Sequence, residues 1–307
     1  MTRIAVVGAG GVGINCAAAI LQQGLCSELV LYDRSADRAR GEALDFLHGA
    51  PLLPECSVDG RSFDEFETPE IAVLAAGAHT APGQTRLDLI DINLEVAAEA
   101  AAAIERGGLP RVLIVVTSPL DVVTEYLTRR WHGRDVSVLG SGTSLDSWRL
   151  MERLAEELGA HPGNVHAWVV GEHGDSAVFL FSSATIGPFS LREYAERRGR
   201  ALTDEMLAGV EEDVRTAAYR VRQLKGSSTH AIGLATARIV LHLTREPGFM
   251  IPLSMRVEDG LCASLPTILG RDGPDEAIRP PMDERERAAF ERSLDVLREA
   301  NERIPVG

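Results

Sequence analysis

Two short segments carry side chains whose types and spacing suit proton transfer beside a bound carboxylate. In GEHGDS (residues 171–176), His173 follows an apolar run and lies between Gly171 and Gly174, so its imidazole has room to exchange a proton near neutral pH. In GTSLDSWR (residues 142–149), Asp146 and Arg149 are three positions apart and share one face of a helix. The carboxylate can orient an imidazolium, and the guanidinium can pair with a substrate carboxylate through two hydrogen bonds.

A third segment, GAHTAPGQTRLDL (residues 77–89), is a loop containing glycine and proline that carries Arg86 into the following helix. A mobile loop can deliver Arg86 to a substrate carbonyl and exclude water when it closes. Each segment also has a plain structural interpretation: a satisfied loop histidine, a helix ion pair between Asp146 and Arg149, and a solvated loop arginine. Their occurrence together favours a catalytic site.

The segment GAGGVG (residues 8–13) matches G-x-G-x-x-G between a predicted strand and a predicted helix. In such a loop the first glycine permits a tight turn, the second lets a pyrophosphate approach the backbone, and the third allows close helix–strand packing. Asp33, twenty positions after Gly13, can accept hydrogen bonds from both ribose hydroxyls and would repel a 2′-phosphate, whereas Arg34 weakens that preference. The pattern predicts NAD rather than NADP, the alternative being a glycine turn without a ligand. The predicted cofactor-binding residues here are Gly8, Gly10, Val12, Gly13 and Asp33.

The elements that must position these residues alternate between strands and helices in the first half of the chain. Nearly continuous apolar runs bounded by Gly, Asp or Pro predict parallel strands buried on both faces. An alanine-rich helix capped by Gly107 lies between two of them. This alternation predicts an α/β fold with a Rossmann-type doubly wound parallel sheet over residues 1–140. The predicted strands are residues 3–8, 28–33, 71–77, 111–117 and 136–140.

Residues 141–307 show a different rhythm, which predicts a mixed α+β substrate domain packed onto the first. A helix is expected over residues 144–158 with Gly159 as its stop, followed by two strand-like runs, HAWVVG and AVFLFSSATI. A long helical stretch over residues 203–244 should break near KGSST. Two short strands and a terminal helix over residues 283–303 complete the prediction.

Composition narrows the range of partners and compartments. A formal net charge of −14 over 307 residues argues against nucleic acid or an anionic membrane as partner. The apolar run at the N-terminus is too short and too rich in glycine for a signal peptide or a membrane span, so a cytoplasmic location is expected. No CxxC pair or regular spacing indicates a zinc site or a disulfide framework. The four cysteines are Cys16, Cys26, Cys56 and Cys262.

The order of these motifs, with VVTSPLDVVT and KGSSTHAIG between and after them, resembles the L-lactate/L-malate dehydrogenase family from Ile4 to the final helix. The resemblance implies hydride transfer between NAD and C2 of a 2-hydroxy or 2-oxo acid. It implies that His173 is the acid/base, Asp146 its partner and Arg149 the carboxylate ligand, while Arg86 stabilises charge on the carbonyl oxygen. It also implies that Ile232 packs against the nicotinamide and that the protein forms a homodimer or homotetramer.

Three residues depart from the family pattern at the substrate pocket. Ser118 stands where the family usually has asparagine, Thr80 where malate enzymes carry arginine and lactate enzymes glutamine, and Ser228 where lactate enzymes have threonine. Thr80 provides no charge for a second carboxylate, which counts against oxaloacetate as the substrate unless His79 or another cation pairs with that carboxylate. The expectation is therefore a lactate-type enzyme acting on pyruvate or a bulkier 2-oxo monocarboxylic acid. Malate dehydrogenase is the alternative within the family, and a catalytically silent NAD-binding protein is the alternative outside it.

The resemblance also bears on regulation. Bacterial lactate enzymes of the family often bind fructose 1,6-bisphosphate through an arginine and a histidine at a subunit interface. His166 matches the histidine, but Met151 stands at the arginine position. No activation by that sugar phosphate is expected.

Overall fold

The first half of the chain forms a parallel sheet with helices on both faces. The structure, a computed structural model, describes residues 2–78, 86–257 and 260–305, and for residues 86–88 only the backbone. The strands are β1 (Arg3–Val7), β2 (Glu28–Asp33), β3 (Ser57–Ser62), β4 (Ile71–Leu74), β5 (Val112–Val115) and β6 (Ser137–Gly140). The helices are α1 (Gly11–Gln22), α2 (Ala36–His48), α3 (Arg86–Gly107) and α4 (Leu120–Arg130).

These six strands lie in the order β3-β2-β1-β4-β5-β6, and all their pairings are parallel. This is the doubly wound order of dinucleotide-binding sheets, in which the strand order reverses between β1 and β4. Side chains of β1 alternate between the two faces: Ile4 and Val6 join one apolar core, while Ala5 and Val7 join another. Burial on both faces explains why the predicted strands read as continuous apolar runs.

The second half adds both a small sheet and an extension of the large one. Its strands are β7 (Val165–Val170), β8 (Val178–Ile186), β9 (Phe189–Ser190), β10 (Phe249–Arg256), β11 (Cys262–Gly270) and β12 (Gly273–Ala277). Its helices are α5 (Ser144–Leu158), α6 (Leu191–Arg198), α7 (Asp204–Lys225), α8 (His230–Thr244) and α9 (Glu284–Asn301). Strands β7, β8 and β9 form an antiparallel sheet of their own, whereas β10, β11 and β12 continue the parallel sheet beyond β6.

The junction between the halves is therefore a strand pairing. Ser254 of β10 lies opposite Gly140 of β6 in antiparallel register. A Cβ added at Gly140 would lie 2.6 Å from the Thr124 hydroxyl oxygen and 3.0 Å from Cβ of Ser254, so the seam is tightly packed. The sheet thus runs through nine strands and across residue 140.

The α/β fold class predicted from sequence is confirmed, and so are helix α5, its stop at Gly159 and the break between α7 and α8. Three details were wrong. Residues 249–277 form three strands rather than two, and the terminal helix is shorter than predicted, with Asp283 as its N-cap. Gly107 is the last residue of α3 rather than its cap, and the residue with positive φ (108°) is Gly108.

Strand β3 was missed because its sequence, SVDGRS, is polar and lies at the sheet edge, where apolar alternation is not required. Within the described part of the chain, no helix combines the length and the apolar character that crossing a membrane would need.

Candidate active site

The glycine loop joins β1 to α1 at the carboxyl edge of the parallel sheet. Gly8 has φ of 109°, and a Cβ added there would lie 2.4 Å from the backbone nitrogen of Ala76. A Cβ at Gly13 would lie 1.9 Å from the carbonyl oxygen of Gly8, whereas a Cβ at Gly10 would meet nothing within 4 Å. Gly8 and Gly13 thus permit close backbone packing, whereas Gly10 borders open space.

The first N–H groups of α1 suit an anion. Gly10 is the N-cap of this helix and provides no side-chain hydrogen bond to it. The unpaired N–H groups and the positive end of the helix dipole therefore face the open space beside Gly10. A pyrophosphate fits this arrangement in both shape and charge.

Asp33 ends β2 and fixes the shape of the glycine loop. Its Oδ2 accepts a hydrogen bond from the Ala9 N–H at 2.8 Å, and its Oδ1 accepts one from the Ser35 N–H at 2.9 Å. Each carboxylate oxygen retains acceptor capacity for a ribose hydroxyl. Asp33 borders a cavity of about 690 Å³ that also contacts Gly8, Gly10 and Arg34. Nε of Arg34 lies 3.7 Å from Oε2 of Glu99. The negative charge of Glu99 offsets the positive charge of Arg34 that would attract a 2′-phosphate.

Helix α8 packs against α1 and brings Ile232 to the same region. A Cβ at Gly233 would lie 2.5 Å from the carbonyl oxygen of Asn15, so the two helices are in close contact. Ile232 and Val12 are half-buried against the same apolar core. A Cβ at Gly11 would lie 3.4 Å from the Thr229 methyl group, so the start of α8 is close to the glycine loop; contact of Ile232 with the nicotinamide stays a prediction.

The predicted acid/base pair is formed. Nδ1 of His173 lies 2.7 Å from Oδ2 of Asp146, and the other carboxylate oxygen accepts a hydrogen bond from Arg149 at 3.0 Å. Asp146 and Arg149 are 13% and 18% exposed, and His173 is 31% exposed, so the group is shielded but reachable. Because Asp146 engages Nδ1, Nε2 of His173 is left for a substrate.

The electrostatics of the pair favour its charged form. Burial alone would lower the pKa of His173, but the charge and hydrogen bond of Asp146 outweigh burial, and the pKa is raised above 6.5. For Asp146, burial acts to raise the pKa, but His173 and Arg149 together lower it. His173 therefore holds its proton at a higher pH than a free imidazole does.

Asp121, a residue that was not predicted from the sequence, positions His173 through a hydrogen bond to its backbone. This side chain is 3% exposed, and its Oδ2 accepts a hydrogen bond from the backbone N–H of His173 at 2.8 Å. Burial raises the pKa of Asp121 to about 6. The available signal was its position three residues after Ser118, at the carboxyl edge of β5.

Asn93, also missed, ties together two loops of the site. Its Oδ1 accepts a hydrogen bond from the Ala78 N–H at 2.6 Å, and its Nδ2 donates to the Ser118 carbonyl oxygen at 2.5 Å. The side chain is 1% exposed on α3. A single buried amide thus fixes the segment after β4 relative to the segment after β5.

A cavity of about 260 Å³ lies between the two halves and holds the predicted acid/base and carboxylate residues. His173, Asp146, Arg149 and Ser118 line it. Ser228 lies instead in the connection between α7 and α8 and is not among its described lining. Arg86 begins α3, but its side chain lies outside the described part of the structure, and so does all of Thr80.

A glycine loop suited to a dinucleotide and a partly buried imidazole–carboxylate pair are features of an NAD-dependent oxidoreductase, and comparison with known proteins agrees. A family model described as lactate/malate dehydrogenase, NAD binding domain, matches residues 2–139. A second, described as lactate/malate dehydrogenase, alpha/beta C-terminal domain, matches residues 143–304. The chain belongs to the lactate/malate dehydrogenase family, and the prediction of NAD as its cofactor is confirmed.

Several relatives match nearly the whole chain. An L-lactate dehydrogenase from Thermus aquaticus is 38% identical over 303 residues, covering 97% of this chain and 98% of the relative. An L-lactate dehydrogenase from Fervidobacterium nodosum is 34% identical, with 98% of each chain covered. The crystal structure of a minor L-lactate dehydrogenase from Enterococcus mundtii superposes with a TM-score of 0.93 at 30% identity, covering 100% of this chain and 99% of the other. The chain is thus an NAD-dependent oxidoreductase of this family, and over nearly its whole length it is similar to L-lactate dehydrogenases.

Proposed function

We propose that the protein interconverts a 2-oxo monocarboxylic acid and the L-2-hydroxy acid, with pyruvate or a bulkier acid as substrate. The observation that carries this proposal is the hydrogen bond between His173 and Asp146, 2.7 Å long, beside Arg149 in one cavity. Reduction of a 2-oxo acid needs a proton donor and a cation for the carboxylate, and this cavity provides both. The relatives named L-lactate dehydrogenase support the same reaction.

In the proposed mechanism, the glycine loop and Asp33 would hold the dinucleotide, whose reduced form would supply the hydride for reduction and whose oxidised form would accept it in the reverse reaction. Arg149 binds the substrate carboxylate through its guanidinium and so fixes the distance of the carbonyl from His173. His173 gives a proton from Nε2 to the carbonyl oxygen during reduction and takes it back during oxidation. Asp146 stabilises the imidazolium and holds the ring in one orientation. Arg86 is proposed to stabilise negative charge developing on the carbonyl oxygen.

The cavity supports a substrate larger than pyruvate. Its volume of about 260 Å³ is just below the range of about 300–1,000 Å³ that is typical of small-molecule pockets. Apolar side chains, including Pro119, Phe179 and Val214, form part of the lining. Ser118 is shorter than the asparagine of the family pattern and leaves additional room beside them.

The deciding experiment measures NADH consumption with pyruvate, 2-oxobutyrate, branched-chain 2-oxo acids, phenylpyruvate and oxaloacetate. The proposal expects a monocarboxylic acid to give the highest kcat/KM. A clear lead of pyruvate would identify a lactate dehydrogenase, and a lead of a larger acid would assign the additional room to its side chain. Turnover confined to oxaloacetate would overturn the monocarboxylic proposal.

One observation favours oxaloacetate as a second candidate. Arg222 of α7 lines the same cavity, and its guanidinium lies 5.8 Å from the ring centre of Tyr219. Within the described residues it forms no ion pair, so its charge is available to a second carboxylate. Arg222→Gln would then lower kcat/KM for oxaloacetate more than for pyruvate. Arg220→Gln is the matched control, because Arg220 is on the same helix but pairs with Asp213.

We further propose that the protein is a homodimer or homotetramer, as the family resemblance implies. Large apolar side chains on and just after α2 support this: Leu44, Leu47 and Leu52 are 53%, 44% and 89% exposed. Light scattering after size-exclusion chromatography would give the mass, and a single 33.1 kDa species would contradict the proposal. The cytoplasmic location remains a prediction from sequence.

A further inference from the structure

Two cysteines, far apart in the sequence, meet at the amino-terminal edge of the parallel sheet. Cys26 lies in the connection that leads into β2, and Cys56 immediately precedes β3. Their Sγ atoms are 3.4 Å apart, although thirty positions separate them in the chain. The cysteine spacing in the sequence gave no sign of this pairing.

The backbone fixes this proximity. The parallel register pairs Glu28 with Ser57, and the Ser57 N–H donates a hydrogen bond to the Ser27 carbonyl oxygen at 3.0 Å. The two connections also pack against each other, since a Cβ at Gly24 would lie 3.0 Å from Cβ of Pro54. Neighbouring strands lie about 4.8 Å apart, a spacing that a disulfide can bridge.

The two thiols differ in exposure and acidity. Cys26 is 6% exposed within the apolar core, whereas Cys56 is half-buried and reachable from solvent. The hydrogen bond between them is the main cause that lowers the pKa of Cys56 and raises the pKa of Cys26. Cys56 therefore loses its proton before Cys26 does, and the Cys26 sulfur lies 3.4 Å from it.

The other two cysteines provide an internal contrast. Burial raises the pKa of Cys16 to about 11, and burial also raises the pKa of Cys262. Cys16 contacts the Thr236 hydroxyl, and Cys262 contacts the Thr128 hydroxyl, each at hydrogen-bonding distance. Neither has the partial exposure that oxidation requires.

We propose that Cys26 and Cys56 form a reversible redox pair that a hydroperoxide converts into an intramolecular disulfide. The Cys56 thiolate attacks one peroxide oxygen, the O–O bond breaks, and the leaving oxygen takes up the proton that the Cys56 thiol released, so the products are a sulfenic acid and water or an alcohol. The Cys26 sulfur then attacks the Cys56 sulfur, an S–S bond forms as the S–O bond of the sulfenic acid breaks, and the departing hydroxyl takes the Cys26 thiol proton and leaves as water. The two sulfurs together lose two electrons, which reduce the peroxide.

The disulfide would act on stability rather than on catalysis. Cys26 precedes β2 and Asp33 ends it, so a rise of about 3.3 Å per residue separates the pair from the cofactor edge by about 20 Å. Strand β3, which follows Cys56, pairs only with β2 within the described sheet. A cross-link at its start would hold this edge strand in register and should raise Tm by about 5 °C.

The experiment oxidises the full-length protein with hydrogen peroxide, removes the peroxide and counts thiols after denaturation. The expected count falls from four to two, a tryptic map contains one peptide linking Cys26 to Cys56, and dithiothreitol reverses both changes. Tm rises on oxidation and returns to its starting value on reduction. The kcat/KM for 2-oxo acid reduction stays within about twofold of that of the reduced protein.

Three variants separate this pair from general oxidation. Cys56→Ser should keep its three thiols under the same treatment, and Cys26→Ser should stop at a Cys56 sulfenic acid that dimedone traps. Cys16→Ser is the matched control and should still form the linkage. The proposal is overturned if wild-type Cys56 proceeds to sulfinic acid without a linkage, if four thiols survive, or if the linkage involves Cys16, Cys262 or a second molecule.

Discussion

At the scale of single residues, the site depends on how His173 is held. Two carboxylates contact it from different sides: Asp146 through the ring nitrogen and Asp121 through the backbone N–H. The first stabilises the charged ring, and the second fixes the main chain that carries it. The imidazole therefore has few orientations to lose when a substrate binds.

Replacement of this imidazole should abolish most of the chemistry and leave cofactor binding intact. We expect His173→Gln to lower kcat/KM for 2-oxo acid reduction by about 10³-fold, because general acid catalysis contributes about 10²–10⁴-fold. NADH affinity, followed by fluorescence titration, should change by less than about twofold, since the ring takes no part in the glycine loop. His166→Gln, an exposed site on β7, is the control. Full activity of His173→Gln would assign the proton to another group.

The pH dependence of reduction should report the same residue. Reduction needs the protonated ring, and the pKa of His173 is raised, so kcat/KM should fall with increasing pH only above 6.5. Asp146→Asn removes the charge that raises this pKa, and the falling limb should then move to lower pH. Rate profiles of the two proteins with one substrate test this. An unshifted limb would mean that Asp146 has no electrostatic effect on the ring.

At the scale of secondary-structure elements, different glycines of the loop serve different purposes: Gly13 allows close packing, and Gly10 leaves space for the cofactor. Gly13→Ala would drive a Cβ into the Gly8 carbonyl and should lower the free energy of unfolding by about 3 kcal/mol. Gly10→Ala has space for its methyl group and should fold normally, but it should weaken NADH binding about tenfold by occupying the approach of the pyrophosphate. Urea unfolding and fluorescence titration of both variants measure the two effects. Equal loss of stability in both would contradict this division.

Local signals in the sequence predicted the elements that carry the chemistry. The glycine spacing, Asp33 and the i,i+3 pair Asp146 and Arg149 depend on neighbours close in the chain. Asn93 and Asp121 escaped prediction because their roles arise only when distant loops meet. The same reason applies to the polar edge strand β3, which is specified by pairing with β2 rather than by its own pattern.

At the scale of the whole molecule, the proposed division into residues 1–140 and 141–307 cuts through the nine-stranded sheet, which contains strands from both halves. Strand β10 pairs with β6 across the boundary, and α8 packs on α1. The two halves share one large hydrogen-bonded layer. The substrate cavity lies where they meet, so its geometry depends on both.

This shared layer predicts that the halves unfold together. Trp131 lies in the core of the first half, and Trp168 packs in the second. Variants that retain only Trp131 or only Trp168, with Trp148 replaced in both, should give the same denaturation midpoint by fluorescence, because loss of either half exposes the seam. Midpoints that differ beyond error would indicate two independent units.

The pairing of β6 with β10 also has a consequence for synthesis on the ribosome. Phe249, where β10 begins, follows Gly140, where β6 ends, by 109 positions (249 − 140). At about 5–20 residues per second, the nascent first half waits about 5–20 s with the β6 edge unpaired. An open strand edge is a template for pairing with other chains. The nascent first half therefore exposes to aggregation an edge of β6 that the finished sheet covers with β10.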